Sequence, residues 1–275
     1  MKSWIYKIPH FKGKFRLVRL FFGNTLRNSK NCTLTGRLGL QYKIPNLKEN
    51  IGFEIFANGI YEKDTSDLII SKLPPNGVFL DVGANIGSIS LPVCRARPDV
   101  KVICVEASKS VFEYLEQNIS INNIQNCILI NKAISDQDNK TITFYTSDMF
   151  GKGSMAVSKN TNTESMQTIT LDTLVIRLGL NHVNLIKIDI EGYELFALKG
   201  LRSVLNSKNA PDIIFEFIDY AEECNSGVSA GSAQEYLIEL GYRLYSYQKG
   251  GKLTLLAKPM QVGEAMLFAT KKINL

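Results

Sequence analysis

The chain has 275 residues and a formal net charge of +6, and its 45% hydrophobic and 21% charged residues are typical of a globular protein rather than a disordered one. Its five cysteines form no Cys-x-x-Cys pair, which argues against a disulfide framework or a zinc site and indicates a reducing compartment. No apolar run reaches membrane-spanning length and no signal-peptide pattern is present, so a cytoplasmic protein is expected, with peripheral membrane contact as a possible addition.

The amino-terminal segment carries much of the positive charge, because no acidic residue precedes Glu49. Basic and apolar residues there predict an amphipathic helix from Lys14 to Leu26. Its apolar side either packs on the rest of the protein or contacts a membrane surface or another subunit, and both alternatives stay open. Nucleic acid is not expected as a partner, since no further clusters of aromatic and basic residues support it.

Residues 33–60 alternate partly between apolar and polar side chains, which predicts a small antiparallel β element. A helix over 66–73 should end before Pro74 and Pro75, because proline cannot continue a helix. We therefore divide the chain into residues 1–60, a basic arm with a small β element, and residues 61–275, a larger α/β domain.

The larger domain alternates strands and helices with short links, which predicts a mostly parallel sheet covered on both faces. The predicted elements are strands at 78–82, 101–106, 127–133, 185–189 and 212–217, and helices at 87–96, 109–122 and 193–205. Residues 242–270 predict an antiparallel edge. Two further strand-like runs, 141–146 and 167–171, flank a loop at 147–165 that either covers a substrate or is a plain solvent loop.

A glycine turn follows the first parallel strand in the sequence Asp81-Val-Gly83-Ala-Asn-Ile-Gly87. Glycine at such a turn lets the backbone approach a bound nucleoside closely. The spacing is not the Gly-x-Gly-x-x-Gly that receives a pyrophosphate, and a carboxylate precedes the first glycine. The turn therefore suits a cationic nucleoside-like ligand better than an anionic one.

Glu106 closes the second predicted strand. A carboxylate at that position can accept hydrogen bonds from both hydroxyl groups of a ribose. The combination of the glycine turn with this acid favours ligand binding over a purely structural turn.

Four blocks of this sequence, taken in order, resemble the signatures of FkbM-type S-adenosylmethionine-dependent methyltransferases. The blocks are Asp81–Gly87, Glu106–Ser108, Asn131–Asp136 and Lys187–Glu194. The resemblance extends over about residues 61–242, although the first block alone would fit many methyltransferases. It implies a Rossmann-like class I methyltransferase fold, S-adenosyl-L-methionine as the cofactor, and methyl transfer to a hydroxyl of a saccharide, glycoconjugate or related natural product.

The resemblance also implies a set of cofactor-binding residues at the carboxyl ends of the strands. These are Asp81, Gly83, Ala84, Asn85, Gly87, Glu106, Ala107, Lys132, Ala133 and Asp189. The Tyr61-Glu62 pair recurs in the family pattern and is expected against the same crevice.

An unactivated hydroxyl must lose its proton during methyl transfer, which requires a general base or a metal ion. His10 and His182 are poorly placed for this role, so the candidates at the reactive edge are Asp189, Glu191 and Glu216. We assign Asp189 to holding the cofactor amine or the substrate, and either Glu191 or Glu216 to the base. No metal site is expected, although two acids on adjacent strands could instead bind a divalent cation.

Two other functions share parts of this pattern. A nicotinamide-dependent oxidoreductase has the same strand and glycine turn but requires the pyrophosphate spacing, which is missing here. A non-catalytic protein could use the basic arm for surface binding and keep only a relic of the nucleoside site. The presence of Asp81, Glu106 and Asp189 argues against such decay.

Overall fold

The structure is a computed structural model that describes residues 5–9, 11–146, 162–248 and 250–273. Its amino-terminal part begins with a 3-10 turn, Ile5–Lys7, and has a second at Arg37–Gly39. The longer elements here are α1 (Lys14–Asn28), β1 (Lys30–Thr35), β2 (Gln41–Asn46) and α2 (Asn50–Asn58). The predicted helix and the predicted antiparallel pair are both confirmed.

The prediction of strand structure after residue 50 is wrong, because those residues form α2. Phe53, Ile55, Phe56 and Ala57 are buried together, and such a short apolar run does not distinguish a helix from a strand. The helix ends at Gly59, which adopts a left-handed conformation.

The rest of the chain alternates helices and strands. In chain order the elements are α3 (Lys63–Lys72), β3 (Val78–Val82), α4 (Ser90–Ala96), β4 (Lys101–Glu106), α5 (Lys109–Ile121), β5 (Cys127–Asn131), β6 (Ala133–Ile134), β7 (Thr141–Thr146), β8 (Asn162–Ile169), α6 (Leu171–Arg177), β9 (Leu185–Ile188), α7 (Glu194–Lys199), α8 (Arg202–Leu205), β10 (Asp212–Ile218), α9 (Asp219–Glu223), α10 (Ser232–Glu239), β11 (Arg243–Gln248), β12 (Lys252–Leu255) and β13 (Glu264–Thr270).

The described residues form an eight-stranded sheet in the order β12-β11-β13-β10-β9-β3-β4-β5. Strands β5, β4, β3, β9 and β10 run parallel, and β13 is antiparallel to both β10 and β11. Successive residues such as Phe79 and Leu80 belong to different apolar clusters, so both faces of the sheet are covered. The predicted fold class, a Rossmann-like α/β fold with an antiparallel carboxyl-terminal edge, is confirmed.

Besides this sheet and the β1–β2 pair, the described residues form a three-stranded sheet of β6, β8 and β7. Strand β8 starts at Asn162, earlier than the predicted 167, so the loop expected at 147–165 is shorter, and its residues 147–161 lie outside the described part of the chain. The helix predicted over 193–205 is divided into α7 and α8 at Gly200 and Leu201. Asp172 lies in the first turn of α6, and its carboxylate accepts hydrogen bonds from the Ser203 and Val204 amides in the first turn of α8.

Asn118 in α5 and Asn122, which caps the carboxyl end of that helix, attach the amino-terminal part to the sheet domain. Asn118 accepts a hydrogen bond from the Lys43 amide at 2.6 Å and donates to the Lys43 carbonyl at 3.0 Å. Asn122, one helical turn later, makes the equivalent pair with Gln41. Each side-chain amide thus satisfies the exposed backbone of β2 as a neighbouring strand would. This attachment fixes the position of α2, whose Ile51 reaches the site described below.

Helix α1 packs its inner face on α2 through ring contacts. Phe15 lies against Phe53 with centroids 5.2 Å apart, and Phe22 against Phe56 at 5.7 Å. In the described ranges, no helix combines the length and apolar character that crossing a bilayer would demand.

Candidate active site

A cavity of about 210 Å³ opens at the carboxyl ends of β3, β4 and β9. This is the edge at which parallel α/β sheets bind ligands. Predicted site residues that line it are Gly83, Ala84, Asn85, Glu106, Ala107, Lys132, Ala133, Asp189, Glu191 and Glu216. Asp81 and Gly87 are not among the residues that line it.

Gly83 is required by its protein neighbours. Its φ is +77°, and a Cβ built there would lie 1.8 Å from the carbonyl oxygen of Asp189. The end of β3 and the turn after β9 therefore approach each other more closely than any other residue type allows. Gly87 also has a positive φ, and a Cβ there would meet the side chain of Leu115. Its role is the packing of the turn on α5.

Asp81 is fully buried beneath the cavity rather than within its wall. One carboxylate oxygen accepts a hydrogen bond from Ser90 at the start of α4. The other lies 3.7 Å from the ammonium of Lys187. Burial raises the pKa of Asp81, and Lys187 partly offsets this effect. Asp81 thus links β3, α4 and β9, and we assign it to positioning rather than to direct ligand contact.

Glu106 presents its carboxylate to the cavity in a fixed orientation. Its Oε2 accepts a hydrogen bond from the Asn85 amide and its Oε1 from the Ser108 amide, both at 2.9 Å. Asn85 holds a left-handed conformation, φ +51°, that aims its amide at the acid. Burial raises the pKa of Glu106 to about 7, although the backbone amides of Ser108, Asn85 and Ala107 favour the ionised form. Each oxygen keeps a lone pair for a further donor.

Lys187 is a buried cation, 2% exposed, on β9. Its ammonium donates a 2.8 Å hydrogen bond to Oδ2 of Asp189. Burial lowers the pKa of Lys187, but the charges of Asp189, Asp81 and Glu62 outweigh burial and raise it. Lys187 therefore remains charged and neutralises part of an acidic cluster.

The acidic cluster extends to Glu62 and Glu216, each of which has one buried carboxyl oxygen without a hydrogen-bond partner. Burial, followed by the charges of Asp189 and Glu191, raises the pKa of Glu216 to about 10. Burial and the charge of Asp189 likewise raise the pKa of Glu62. A buried oxygen without a hydrogen-bond partner destabilises the folded state, and such oxygens are commonly found where a ligand binds.

A second, larger cavity of about 1090 Å³ adjoins the first. Ile51, Tyr61, Glu191 and Glu216 line both, so the two spaces meet at these residues. The larger cavity is bounded on one side by the amino-terminal part, including Arg27, Lys30, Asn46 and Lys48, and on the other by Tyr220, Glu264 and Met266. Its lining mixes polar side chains with apolar ones such as Ile218 and Met266.

Tyr61 and Glu62 are predicted against the cofactor crevice; Tyr61 lines both cavities, whereas Glu62 lines the larger one and is not among the residues that line the smaller. The contact of Ile51 has no signal in the sequence, because it depends on how α2 packs. Glu194 was not among the predicted site residues; it is 1% exposed and accepts a 2.9 Å hydrogen bond from the Ile190 amide. The sequence signal for this role is the position of Glu194, four residues after Ile190, from which its side chain can close the turn that follows β9.

Glu191 occupies that turn with φ +55°, a conformation rare for a glutamate. Such strain at a cavity wall is typical of functional positions. Across the described residues, no group of three His, Cys, Asp or Glu side chains is arranged to hold a metal ion.

Comparison with known proteins identifies the family. The model of the methyltransferase FkbM domain matches residues 81–244. Hexuronic acid methyltransferase AglP of Haloferax volcanii is 29% identical over 148 residues, which cover 54% of this chain and 59% of that protein. The 2-O-methyltransferase NoeI of Sinorhizobium fredii is 28% identical over 191 residues, 61% of this chain and 75% of that protein.

Among solved structures, precorrin-6y C5,15-methyltransferase from Geobacter metallireducens aligns with a TM-score of 0.45 and 14% identity, covering 77% of this chain and 88% of that one. The sequence match to the family spans more than half of the chain, from the glycine turn through β9 to β11. The chain therefore belongs to the FkbM methyltransferase family, and residues 81–244 are its methyltransferase domain.

Proposed function

We propose that this chain catalyses S-adenosylmethionine-dependent O-methylation of a hydroxyl on a saccharide or glycoconjugate. The observation that carries the proposal is the acidic lining of the smaller cavity: its described part has four acidic side chains, Glu106, Asp189, Glu191 and Glu216, against Lys132 and Lys187. Burial raises the pKa of Glu106 and of Glu216, so these two can lose their protons when a cation binds beside them. Such a cavity at the end of a parallel sheet suits a cationic nucleoside and disfavours a pyrophosphate.

The residues present fit such a cofactor. Glu106 would accept hydrogen bonds from two ribose hydroxyls, since each of its oxygens keeps a free lone pair beside the amide that holds it. Lys132 and Ala133 line the cavity beyond Glu106, where backbone groups could contact an adenine. Asp189, fixed by Lys187, would hold the cofactor's amino group or the substrate. When bound, S-adenosylmethionine supplies an electrophilic methyl group on a sulfonium.

The acceptor would enter through the larger cavity, because Tyr61, Glu191 and Glu216 stand where the two cavities meet. The charged and amide side chains in its walls could bind a hydroxyl-rich molecule, and two relatives carry names that refer to hexuronic acid methylation and 2-O-methylation. We assign proton removal to Glu216, whose Oε2 is buried and unpartnered at this junction. A cation in the smaller cavity would favour the ionised form of Glu216, which is the form that can accept a proton.

The test is calorimetric titration with S-adenosylhomocysteine, followed by methyl transfer from labelled S-adenosylmethionine to a panel of saccharides. Glu106→Gln should weaken binding by roughly a hundredfold, because hydrogen bonds to a charged acceptor contribute about 1.5–3 kcal/mol each. Glu116→Gln, on the exposed side of α5, is the matched control. Tight NADH binding without S-adenosylhomocysteine binding would overturn the proposal, and turnover on non-saccharide hydroxyls alone would overturn the acceptor class.

A further inference from the structure

Helix α1 is apolar on two faces. The inner face packs on α2 through Phe15 and Phe22. On the outer side Leu20 and Phe21 are 73% and 74% exposed, and Leu17 is 43% exposed. Positions 17, 20 and 21 have the i, i+3, i+4 spacing that places them on one side of a helix. None of the residues that the structure describes covers this outer face.

Basic side chains flank this outer face. Arg16 and Arg27 are exposed on the same helix, and Arg19 is also exposed but turns toward the inner face, with its guanidinium 4.7 Å from the centre of the Phe53 ring. No acidic residue occurs before Glu49 in the sequence, so no carboxylate of α1 or its flanking segments neutralises them. A cationic helix with large apolar side chains on its solvent side has the composition of an interfacial helix.

We propose that the outer face of α1, defined by Leu17, Leu20 and Phe21 with Arg16 and Arg27, docks on the surface of an anionic phospholipid bilayer. The apolar side chains would enter the headgroup region, and the arginines would lie at the level of the lipid phosphates. A second copy of the chain fits this face less well, because symmetric pairing would bring two arginine-rich surfaces together.

Docking of the outer face of α1 on a bilayer would affect access to the site, because of where this face lies. A hollow beside it is lined by Leu20, Phe21, Arg27 and Lys48. Arg27 and Lys48 also line the larger cavity. A bilayer bound to α1 would therefore lie next to the mouth of that cavity. Binding of α1 to lipid does not require methyl transfer.

The test is co-sedimentation of the full chain with vesicles of phosphatidylglycerol and phosphatidylcholine, compared with phosphatidylcholine alone. We expect binding only to the anionic vesicles, weakening as salt is raised. The double variant Leu20→Glu/Phe21→Glu should bind at least about tenfold more weakly, since both apolar insertions are lost. The matched control is Ile176→Glu/Val262→Glu, which places two glutamates at side chains 77% and 78% exposed elsewhere.

Neither side chain of the double variant is buried, so its melting temperature should equal that of the control. If the double variant does not fold, Arg16→Gln provides a second measurement. Its affinity for anionic vesicles should fall about fivefold, because one cation is removed from the anionic surface. Equal binding by the double variant and the control would overturn the proposal, as would no binding to anionic vesicles. A dimer in light scattering that the double variant dissociates would assign the face to a second copy instead.

Discussion

The ammonium of Lys187 donates a 2.8 Å hydrogen bond to the carboxylate of Asp189, two residues later at the end of the same strand. Alternate residues of a strand share a face, so the pair is local. The same ammonium lies 3.7 Å from Asp81, which pairs with Lys187 in register across β3 and β9. One buried cation therefore holds two carboxylates on adjacent strands, one inside the core and one at the cavity wall.

Replacing Lys187 by Met should destabilise the protein by about 3–5 kcal/mol, because removal of one partner leaves buried carboxylates uncompensated. Urea unfolding monitored by circular dichroism measures the change. Lys208→Met, at an exposed position, is the control and should have little effect. Adding Asp81→Asn to Lys187→Met should restore part of the loss, because it removes the most deeply buried of the unpaired charges. If the single variant is as stable as the control, the ion pair has no structural role.

The sequence predicted the parallel core well because each strand there carries its own signal. Val78–Val82 and Lys101–Glu106 are apolar runs closed by a glycine turn or an acid, and both were placed with their observed bounds. The sequence also predicts that the side chains at the strand ends lie close together, because parallel strands bring their carboxyl ends to one edge of the sheet.

What the sequence did not predict depends on contacts between distant segments. Asp81 was assigned to the ligand, yet its partners are Ser90 and Lys187, and no local pattern reveals which way a strand-end carboxylate turns. The helix that contains Ile51 was mistaken for a strand, so its contribution to both cavities was missed. The central position of β13, between β10 and β11, also follows from tertiary pairing rather than from local composition.

Gly83→Ala should be far more destabilising than Gly227→Ala. The two glycines have nearly the same φ, +77° and +79°, so both variants incur a backbone cost of about 1 kcal/mol. Only at position 83 does the added Cβ collide with protein, at 1.8 Å from the Asp189 carbonyl oxygen, whereas nothing lies within 4 Å at position 227. The difference in the free energy of unfolding between these variants isolates the close approach of β3 to the turn after β9. Equal losses would show that this approach relaxes without cost.

Nucleoside affinity should fall as the pH is lowered through about 7, where burial places the pKa of Glu106. Above that pH the ionised carboxylate can accept from two ribose hydroxyls, and below it the proton occupies one acceptor site. Calorimetry with 5′-methylthioadenosine between pH 5.5 and 8.5 avoids titration of the methionyl group. Affinity should approach a tenfold decrease per pH unit on the acid side. The Glu106→Gln variant should bind weakly and without this dependence; a sloping profile in that variant would assign the titration to another group.

Stability should depend on pH through Glu216, whose pKa rises from 4.5 to about 10 on folding because of burial and the charges of Asp189 and Glu191. Between these values the folded state keeps a proton that the unfolded state has lost, so the free energy of unfolding decreases as the pH rises. Glu216→Gln cannot ionise and should escape this decrease. The melting temperature of Glu216→Gln, measured relative to that of the native chain, should therefore increase from pH 5 to pH 9. Glu116→Gln is the exposed control, and parallel curves for all three proteins would contradict the shift.

The same substitution separates catalysis from cofactor binding. Glu216 is protonated at neutral pH in the empty cavity, and the sulfur of S-adenosylhomocysteine carries no charge. Glu216→Gln should therefore change the affinity for S-adenosylhomocysteine by less than about threefold. Turnover on the acceptor identified in the saccharide screen should fall by roughly 10²–10⁴, the contribution of a positioned general base. The turnover of the native chain should rise with pH as Glu216 loses its proton, and that of the variant should not. If Glu191→Gln abolishes turnover while Glu216→Gln retains it, the base is Glu191, which lines both cavities at the same junction.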